Sequence, residues 1–253
     1  MPVQDISLPD GYALAVFEQL DSTNSEALRQ AGQGEAHGLW VWAHAQGEGR
    51  GRSGRRWESL PGNLFASLLL RPDCIAATAT QLGFVGGLAL YDTVKTLGNV
   101  STEPVIALKW PNDLLCNSRK AGGILLESST DKTGALAVAM GIGLNLSNHP
   151  QGTEYPATDL SQHAIVATPD AALERLAHAC HHWLGVWNEG AGFEDIRVEW
   201  MARSLAVHAP LEVRLSSERL QGVYRGIDSE GALILALEDG GERRITTGDI
   251  FPL

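Results

Sequence analysis

The stretch at residues 46–57, QGEGRGRSGRRW, places four glycines and four arginines within twelve residues of a chain whose net charge is −11. It joins an apolar run at residues 39–45 to a second one at residues 64–70. Glycine lets backbone N–H groups approach a ligand closely. Arginine adds fixed positive charge and forked donors that suit carboxylate and phosphate groups. The stretch therefore predicts a loop between two strands that holds one or more anions.

Other interpretations of this loop are weaker. Gly49, Gly51 and Gly54 spell G-x-G-x-x-G, but the dinucleotide fingerprint opens a helix, whereas this chain continues through a Pro-Gly turn into another strand. The phosphate-loop signature G-x-x-x-x-G-K-[ST] does not occur in the sequence. A nucleic-acid patch is disfavoured because Trp57 is the only aromatic residue in the arginine cluster and the negative net charge repels a polyanion.

The composition is typical of a globular protein. The chain has 253 residues, of which 44% are hydrophobic, which suits one large domain with a small second one. No apolar run approaches the ~18–20 residues that span a bilayer, and residues 1–12 lack the basic and apolar regions of a signal peptide. We therefore expect a cytoplasmic protein. The three cysteines lack a C-x-x-C spacing, so we expect neither a disulfide framework nor a zinc site.

Apolar periodicity predicts the order of elements in the first part of the chain. Strands are predicted at residues 12–20, 39–45, 63–70, 105–109, 114–116, 121–127 and 135–144, and helices at residues 24–30, 76–97, 169–189 and 193–204. The first helix follows Ser22 and Thr23, which suit an N-cap and, at a pocket wall, could also contact a ligand. Residues 147–163 lack a regular pattern, which is typical of a lid or binding loop.

The pattern changes after Leu205. Four short apolar stretches separated by glycine turns follow, which predicts a small antiparallel barrel. The sequence therefore indicates a large domain at residues 1–206 and a small one at residues 207–253.

The motif KWPNDLL, which begins at Lys109, is a second chemical feature. Pro111 has no N–H and restricts the residue before it to an extended conformation, which makes a stiff bend. Lys109, Asn112 and Asp113 offer a cation, an amide and a carboxylate at the end of a strand. A plain turn is the alternative, because Pro-Asn-Asp is ordinary turn chemistry. Lys109 and Trp110 are unusual in a solvent-exposed turn, which favours a functional site.

Five motifs occur in one order: DSTN from residue 21, Q-x-x-GRGRSGRRW from 46, KWPNDLL from 109, RKAGGILLE from 119 and GIGLNLS from 141. Together they resemble the bacterial biotin protein ligases over nearly the whole chain. The resemblance implies an α/β (α+β) fold with a mixed-sheet catalytic domain of the biotin/lipoate-ligase type and a C-terminal SH3-like barrel. It also implies that biotin is activated with ATP and Mg²⁺ as biotinyl-5′-AMP and passed to a lysine of a biotin carboxyl carrier domain.

The resemblance also implies roles for individual residues. Biotin is expected to contact Ser22, Thr23, Asn24, Gln46, Arg50, Gly51, Arg52 and Lys120. ATP or the adenylate is expected to contact Arg50, Arg55, Trp57, Lys109, Asn112, Asp113 and Asn145. The expected catalytic residues are Lys120, Arg52, Lys109 and Asp113. Lys120 would stabilise charge near the biotin carboxylate and the α-phosphate, and Asp113 would orient either Lys109 or the incoming carrier lysine. We expect no metal ligand from the protein, with Mg²⁺ held mainly by phosphates.

Two features depart from the family pattern. Glu48 stands where the family commonly has a small residue, and we expect it to point outward. Only 20 residues precede DSTN, which leaves no room for the helix-turn-helix that some members carry, so we expect ligase activity without operator binding.

Two other functions remain open. Lipoate ligases and octanoyl transferases share the catalytic fold, although the GRGR loop and the barrel favour biotin. A sensor that binds biotin or its adenylate without transfer is disfavoured because Lys109, Asp113 and Lys120 are all present. The expected partner is the carrier domain of a biotin-dependent carboxylase, with no nucleic acid and no membrane. The sequence leaves a monomer and a homodimer equally open.

Overall fold

The computed structural model describes residues 6–98, 105–130 and 134–253. Within these ranges the chain forms twelve strands, five α-helices and three short 3₁₀ helices. The larger part contains β1 (Ala13–Leu20), α1 (Thr23–Gly32), β2 (Leu39–Gln46), β3 (Leu64–Leu70), α2 (Ala76–Ala79), α3 (Leu82–Leu97), β4 (Ile106–Lys109), β5 (Asp113–Cys116), β6 (Arg119–Thr130), β7 (Leu136–Leu144), α4 (Pro169–Trp187) and α5 (Phe193–Ala202). The smaller part contains β8 (Pro210–Arg214), β9 (Arg219–Ile227), β10 (Leu233–Ala236), β11 (Glu242–Ile245) and β12 (Asp249–Pro252).

Seven strands of the described residues form one mixed sheet in the order β1-β2-β3-β7-β6-β5-β4. β1 and β2 run parallel, and each of the other neighbouring pairs is antiparallel. A parallel pair requires a crossover connection, which α1 provides. The mixed sheet confirms the fold class that was predicted from the sequence.

Helices cover both faces of this sheet. α1 packs on one face through a cluster that includes Ala27 and Val41. α3 packs on the other face together with α4 and α5, and the large core there includes Trp40, Leu68 and Leu88. Trp40 and Val41 are neighbours in β2 and both are buried, because successive strand residues point to opposite faces. Among the described residues, no helix is both long enough and apolar enough to cross a membrane.

Glycines in α3 allow close packing against the neighbouring elements. A Cβ at Gly86 would lie 3.0 Å from the Met140 sulfur, and a Cβ at Gly87 would lie 3.2 Å from the Trp200 indole nitrogen. A Cβ at Gly83 would make only ordinary van der Waals contact. The helix therefore needs two of its three glycines to approach the neighbouring elements.

The helix predicted over residues 76–97 is interrupted, which the periodicity did not indicate. α2 ends at Ala79 and α3 begins at Leu82. Between them the amides of Thr80 and Gln81 bond three residues back, and the Thr80 hydroxyl donates to the carbonyl of Ala77 at 2.7 Å. Tightened i to i+3 bonds and a side chain that competes for a backbone acceptor both interrupt an α-helix.

The C-terminal strands of the described chain form an antiparallel sheet in the order β11-β10-β9-β8-β12. The small antiparallel domain is confirmed, but five strands replace the four that we predicted. The last predicted strand is divided into β11 and β12 near Gly248, whose φ is 147°. β12 then pairs with β8 rather than with β10, so the two halves lie at opposite edges of the sheet.

Trp110 connects the two sheets. Its side chain is 2% exposed, and its Nε1 donates a buried hydrogen bond of 3.0 Å to the carbonyl of Gly231. The peptide bond between Trp110 and Pro111 is cis. Trp110 seemed to favour a functional site in the sequence, but its side chain belongs to the contact between the two parts of the chain.

Replacing Trp110 with Phe should lower the free energy of unfolding by about 1–3 kcal/mol. The change keeps an aromatic ring but leaves the buried Gly231 carbonyl without its donor. Urea titration measures the effect. The control is Val198→Ala on the exposed surface of α5, which should change stability by no more than about 0.5 kcal/mol. Equal stabilities of the two variants would contradict the role assigned to Trp110.

Candidate active site

A pocket of about 420 Å³ brings the motif residues together. Its lining includes Ser22, Thr23, Asn24, Gln46, Arg50, Gly51, Arg52, Arg55, Trp57, Lys109, Asn112, Asp113, Lys120 and Asn145. These are all the residues that the sequence resemblance assigned to biotin, to ATP or to catalysis. Five motifs that are distant in the sequence therefore meet in one cavity, while the role of each residue stays a prediction.

A β-bulge decides which face of the sheet Lys120 occupies. Asp113 pairs with Gly123, but two residues further along β5 Leu115 pairs with Lys120, so β6 carries one extra residue. Directly paired residues share a face, and residues two apart on a strand also share one. Asp113, Leu115 and Lys120 therefore point to the same side. Without the bulge Lys120 would point to the opposite face.

The carboxylate of Asp113 lies between two ammonium groups. Its Oδ1 is 2.5 Å from Lys120 Nζ, and its Oδ2 is 2.9 Å from Lys109 Nζ. Lys109 reaches it because Lys109 and Asp113 are paired across β4 and β5. Burial raises the pKa of Asp113, but the charges of Lys120 and Lys109 outweigh it and lower that pKa to about 2. Asp113 is therefore ionised at neutral pH and is a poor proton acceptor.

Aromatic rings lie beside both ammonium groups. Lys109 Nζ is 4.5 Å from the centre of the Tyr155 ring, and Lys120 Nζ is 5.4 Å from the centre of the Trp57 ring. The Trp57 ring lies against Gly143, where a Cβ would come within 2.6 Å of it. The indole N–H of Trp57 is buried and has no hydrogen-bond acceptor in the described part of the chain. A ligand that offers an acceptor would satisfy this group.

The glycine-arginine loop closes on itself. The amide of Gly51 donates to the carbonyl of Arg55 at 2.7 Å, and the amide of Trp57 donates to the carbonyl of Gly49 at 2.9 Å. A Cβ at Gly49 would lie 2.7 Å from the Trp57 carbonyl oxygen, so this crossing requires glycine. We expected the backbone amides to face an anion, but these two close the loop instead, which leaves a larger share to the guanidinium groups. Glu48 is exposed, as we expected.

Residues of the C-terminal sheet hold the arginine loop, which the sequence did not indicate. Arg55 Nη2 donates to Asp249 Oδ1 at 2.8 Å, and Arg52 Nη1 donates to the Gly248 carbonyl at 3.2 Å. The bond to Asp249 raises the pKa of Arg55, whereas burial lowers the pKa of Arg52. Asp249 and Phe251 also line the pocket. The small domain is therefore part of the site wall.

A polar network shapes the end of the pocket beside α1. The amide of Thr23 donates to Gln46 Oε1 at 2.8 Å. The hydroxyl of Ser67, which is 0% exposed, lies 2.7 Å from both Thr23 Oγ1 and Asn24 Oδ1. Ser22 occupies the N-cap position of α1, but its side chain makes no capping hydrogen bond. Simple capping therefore does not account for the Ser22 hydroxyl, which lines the pocket.

Glu127 ties this network to the arginine loop. Its Oε2 accepts a hydrogen bond of 2.8 Å from Asn24 Nδ2, and its Oε1 lies 3.2 Å from Arg50 Nη2. Arg50 Nη2 also donates to Ser25 Oγ at 2.9 Å. We did not single out Glu127 or Ser67 from the sequence. Ser67 could have been noticed because it is a serine inside an apolar strand. Glu127 could not, because it resembles an ordinary polar residue in the outer part of a strand.

Two asparagines of the motifs are engaged with the backbone. Asn112 Nδ2 donates to a β6 carbonyl at 2.6 Å, and Asn145 Nδ2 donates to the carbonyl of Thr158 at 3.0 Å. The amide of Thr158 donates to the carbonyl of Lys120 at 2.9 Å. The loop at residues 147–163 is thus attached beside Lys120, and several of its side chains line the pocket.

Comparison with known proteins assigns both parts of the chain. Residues 16–145 match the Biotin/lipoate A/B protein ligase family, and residues 212–251 match the Biotin protein ligase C terminal domain. The first match covers most of the mixed sheet, including Asp113 and the two lysines that pair with it, Lys109 and Lys120. The chain belongs to the biotin/lipoate A/B protein ligase family.

Individual relatives agree over most of their length. The Biotin--[acetyl-CoA-carboxylase] ligase of Paracoccus denitrificans is 39% identical over 93% of this chain and 99% of its own. The Bifunctional ligase/repressor BirA of Bacillus subtilis is 30% identical over 95% of this chain and 74% of its own. A solved structure of the biotin protein ligase of Aquifex aeolicus in complex with biotin and ATP superposes with a TM-score of 0.79 at 24% identity, covering 95% and 99% of the two chains. That likeness confirms the fold.

Replacing Glu127 with Ala should weaken biotin binding about tenfold if Arg50 and Asn24 contact biotin. The ion pair to Arg50 is about one-third exposed on each side, so it contributes little by itself. The bond from buried Asn24 to a charged acceptor is worth more, and a loss of ~1.4 kcal/mol corresponds to a factor of ten. Titration calorimetry gives the affinity. Glu48→Ala, on the exposed side of the same loop, is the control, and equal affinities would exclude a role for Glu127.

Proposed function

We propose that this protein is an ATP-dependent biotin ligase. It activates biotin as biotinyl-5′-AMP and transfers the biotinyl group to a lysine of a biotin carboxyl carrier domain. The observation that carries the proposal is the convergence, in one pocket, of every residue that the family resemblance predicted. The relative from Paracoccus denitrificans, which bears the name of this activity, supports it over nearly the full length of both chains.

In the first step a carboxylate oxygen of biotin attacks the α-phosphate of ATP, and pyrophosphate leaves. Both reactants are anions, so cations that are already in place supply the main stabilisation. Lys120 takes the position between the biotin carboxylate and the α-phosphate, and Arg52 and Arg55 neutralise the phosphates. Holding both substrates in one pocket adds the advantage of an intramolecular reaction.

In the second step the carrier lysine attacks the acyl carbon and AMP leaves. The sequence left two roles for Asp113 open, and its geometry favours one of them. The carboxylate contacts Lys109 and Lys120 at the same time, and its pKa of about 2 makes it a weak base. Both carboxylate oxygens are thus engaged, so Asp113 orients the two lysines of the protein rather than the incoming carrier lysine.

The two ends of the pocket suit the two substrates. The polar network around Ser22, Thr23 and Gln46 binds the ring end of biotin, while Arg55 and Trp57 contact the adenylate. Mg²⁺ enters with ATP as a hydrated ion held by the phosphates. No group of three His, Cys, Asp or Glu side chains in the described ranges could hold a metal ion.

Several expectations accompany the proposal. The domains extend over residues 1–206 and 207–253, and the carrier domain is the protein partner. The chain acts in the cytoplasm as a monomer or a homodimer. Operator binding is not part of the function, in keeping with the net charge of −11, which repels a polyanion.

A lipoyl-type ligase is the second candidate, because the matched family includes lipoate proteins. The match of residues 212–251 to the Biotin protein ligase C terminal domain favours biotin. A transfer assay with Mg–ATP decides between them: biotin with a biotin carrier domain, and lipoate with a lipoyl domain, are run in parallel. We expect biotin on the carrier lysine and no transfer of lipoate. Lipoate transfer alone would overturn the substrate assignment.

Lys120→Ala should slow adenylate formation by about 10²-fold or more while changing biotin affinity only a few-fold. The reason is that Lys120 is proposed to act on charge that develops during the reaction rather than on bound biotin. Single-turnover measurement of biotinyl-5′-AMP separates the two effects. An unchanged rate of adenylate formation would remove Lys120 from this role.

Arg52→Ala should release the adenylate faster, by about tenfold. Arg52 connects the glycine-arginine loop to Asn112 and to the C-terminal sheet, so its loss loosens the loop over the bound adenylate. Stopped-flow displacement of biotinyl-5′-AMP gives the off-rate. Glu48→Ala, an exposed neighbour in the same loop, serves as the control, and an off-rate equal to that control would contradict the prediction.

A further inference from the structure

The proposed reaction endangers the residues that promote it. Biotinyl-5′-AMP is a mixed anhydride, and a neutral lysine amine attacks it readily. Nζ bonds to the acyl carbon, the bond from that carbon to the phosphate oxygen breaks, AMP leaves with the electron pair, and the nitrogen loses a proton to water. The carrier lysine must react in this way, yet Lys109 and Lys120 line the same pocket. An ammonium ion has no lone pair and cannot react.

Conditions in the pocket disfavour an ammonium ion. Burial and nearby cations both stabilise the neutral form of an amine. The side chain of Lys109 is 5% exposed and that of Lys120 is 28% exposed. Arg52 and Arg55 line the same cavity. In such an environment a neighbouring anion favours the charged form of an amine.

Asp113 is the anion that contacts both lysines. The two pairs, 2.5 Å to Lys120 and 2.9 Å to Lys109, use one carboxylate oxygen each. The Lys109 ammonium also donates to the carbonyl of Ile250 at 3.4 Å. Rings of Tyr155 and Trp57 face the two nitrogens, and a ring face also favours a cation.

Two other carboxylates that line the pocket are engaged with arginines. Asp249 pairs with Arg55 at 2.8 Å and lies 3.9 Å from Arg52. Glu154 pairs with Arg214. Burial and the charge of Asp113 raise the pKa of Tyr155 to about 12, so the phenol stays neutral. Asp113 is thus the carboxylate that pairs with both lysines.

We propose that Asp113 holds Lys109 and Lys120 as ammonium ions that the acyl-adenylate cannot acylate, so that the acyl group is kept for the carrier lysine. The role goes beyond the proposed function and rests on it. Lysine usage agrees, since the chain has only four lysines among its 19 lysine and arginine residues, and arginine stays protonated and unreactive. The other two are Lys95 on α3 and Lys132, which lies outside the described residues.

Amine reactivity tests the proposal directly. Wild type and Asp113→Asn are treated briefly with acetic anhydride at pH 8, and mass spectrometry gives the acetylation of Lys120 relative to Lys95. We expect this ratio to rise about tenfold or more in Asp113→Asn. Asp249→Asn, which removes a pocket carboxylate that pairs with arginines, and Asp113→Glu, which keeps the charge, should leave it near the wild-type value. An unchanged ratio in Asp113→Asn would overturn the proposal.

A wild-type measurement covers the case in which Asp113→Asn fails to fold. Lys120 of the native protein should react at least about tenfold more slowly than the same lysine in urea-unfolded wild type, each relative to Lys95. Equal reactivity would overturn the proposal without any variant.

Chemically prepared biotinyl-5′-AMP then tests the consequence. Added to Asp113→Asn without ATP, it should biotinylate Lys120, whereas wild type should remain unmodified there. Failure of the proposed function has a different signature. Suppose that wild type does not transfer biotin to a carrier but Asp113→Asn still gains amine reactivity. Asp113 then protects the lysines, and the acyl compound from which it protects them is not biotinyl-5′-AMP. If wild type transfers biotin and the lysines of Asp113→Asn stay unreactive, the protective role is overturned.

Discussion

One buried carboxylate, that of Asp113, sets the requirements that the rest of the site meets. A buried charge is tolerated only when partners satisfy it, and Asp113 has two, Lys109 and Lys120. Lys109 is supplied by the pairing of β4 with β5, and Lys120 by the bulge in β6. The register of three neighbouring strands therefore decides whether this charge cluster exists. The strands that carry it lie at one side of the mixed sheet, while α1 and β2 bring the polar network and the start of the arginine loop from the other side.

The arginine loop depends on a second part of the molecule. Its backbone closes on itself, and its side chains reach in two directions. Arg50 points toward Glu127 on β6. Arg52 bonds to Gly248 in the turn before β12, and Arg55 bonds to Asp249 at the start of β12. The small C-terminal sheet thus helps to position cations that the proposed reaction requires. Trp110 fixes that sheet to the bend that carries Asp113, so the KWPNDLL motif contains both the Asp113 carboxylate and the contact between the two sheets.

Much of the fold and the membership of the site were predictable because they depend on local patterns. Apolar alternation and helical spacing gave the order of strands and helices. The family resemblance implied the mixed sheet, and the motifs named every pocket residue to which a role was assigned. The rest depends on pairing between distant segments. The extra residue in β6 turns Lys120 toward Asp113, but the residues RKAGG do not show that a bulge is present. Their two glycines are the only local signal. Asp249 looked like part of an ordinary strand, because its partners are nearly 200 residues away in the sequence. Glu127 was overlooked because its partners, Asn24 and Arg50, are also distant in the sequence.

Exchange of labelled pyrophosphate into ATP is the measurement that tests the central claim most directly, because it isolates the formation of the adenylate. Wild type should catalyse this exchange only when biotin is present. Asp113→Asn should lower it by about 10²-fold, equivalent to ~2.7 kcal/mol of transition-state stabilisation, while biotin binding stays within a few-fold of wild type. Biotin-dependent exchange at the wild-type rate in Asp113→Asn would contradict the account, since the two lysines would then act without the carboxylate that holds them.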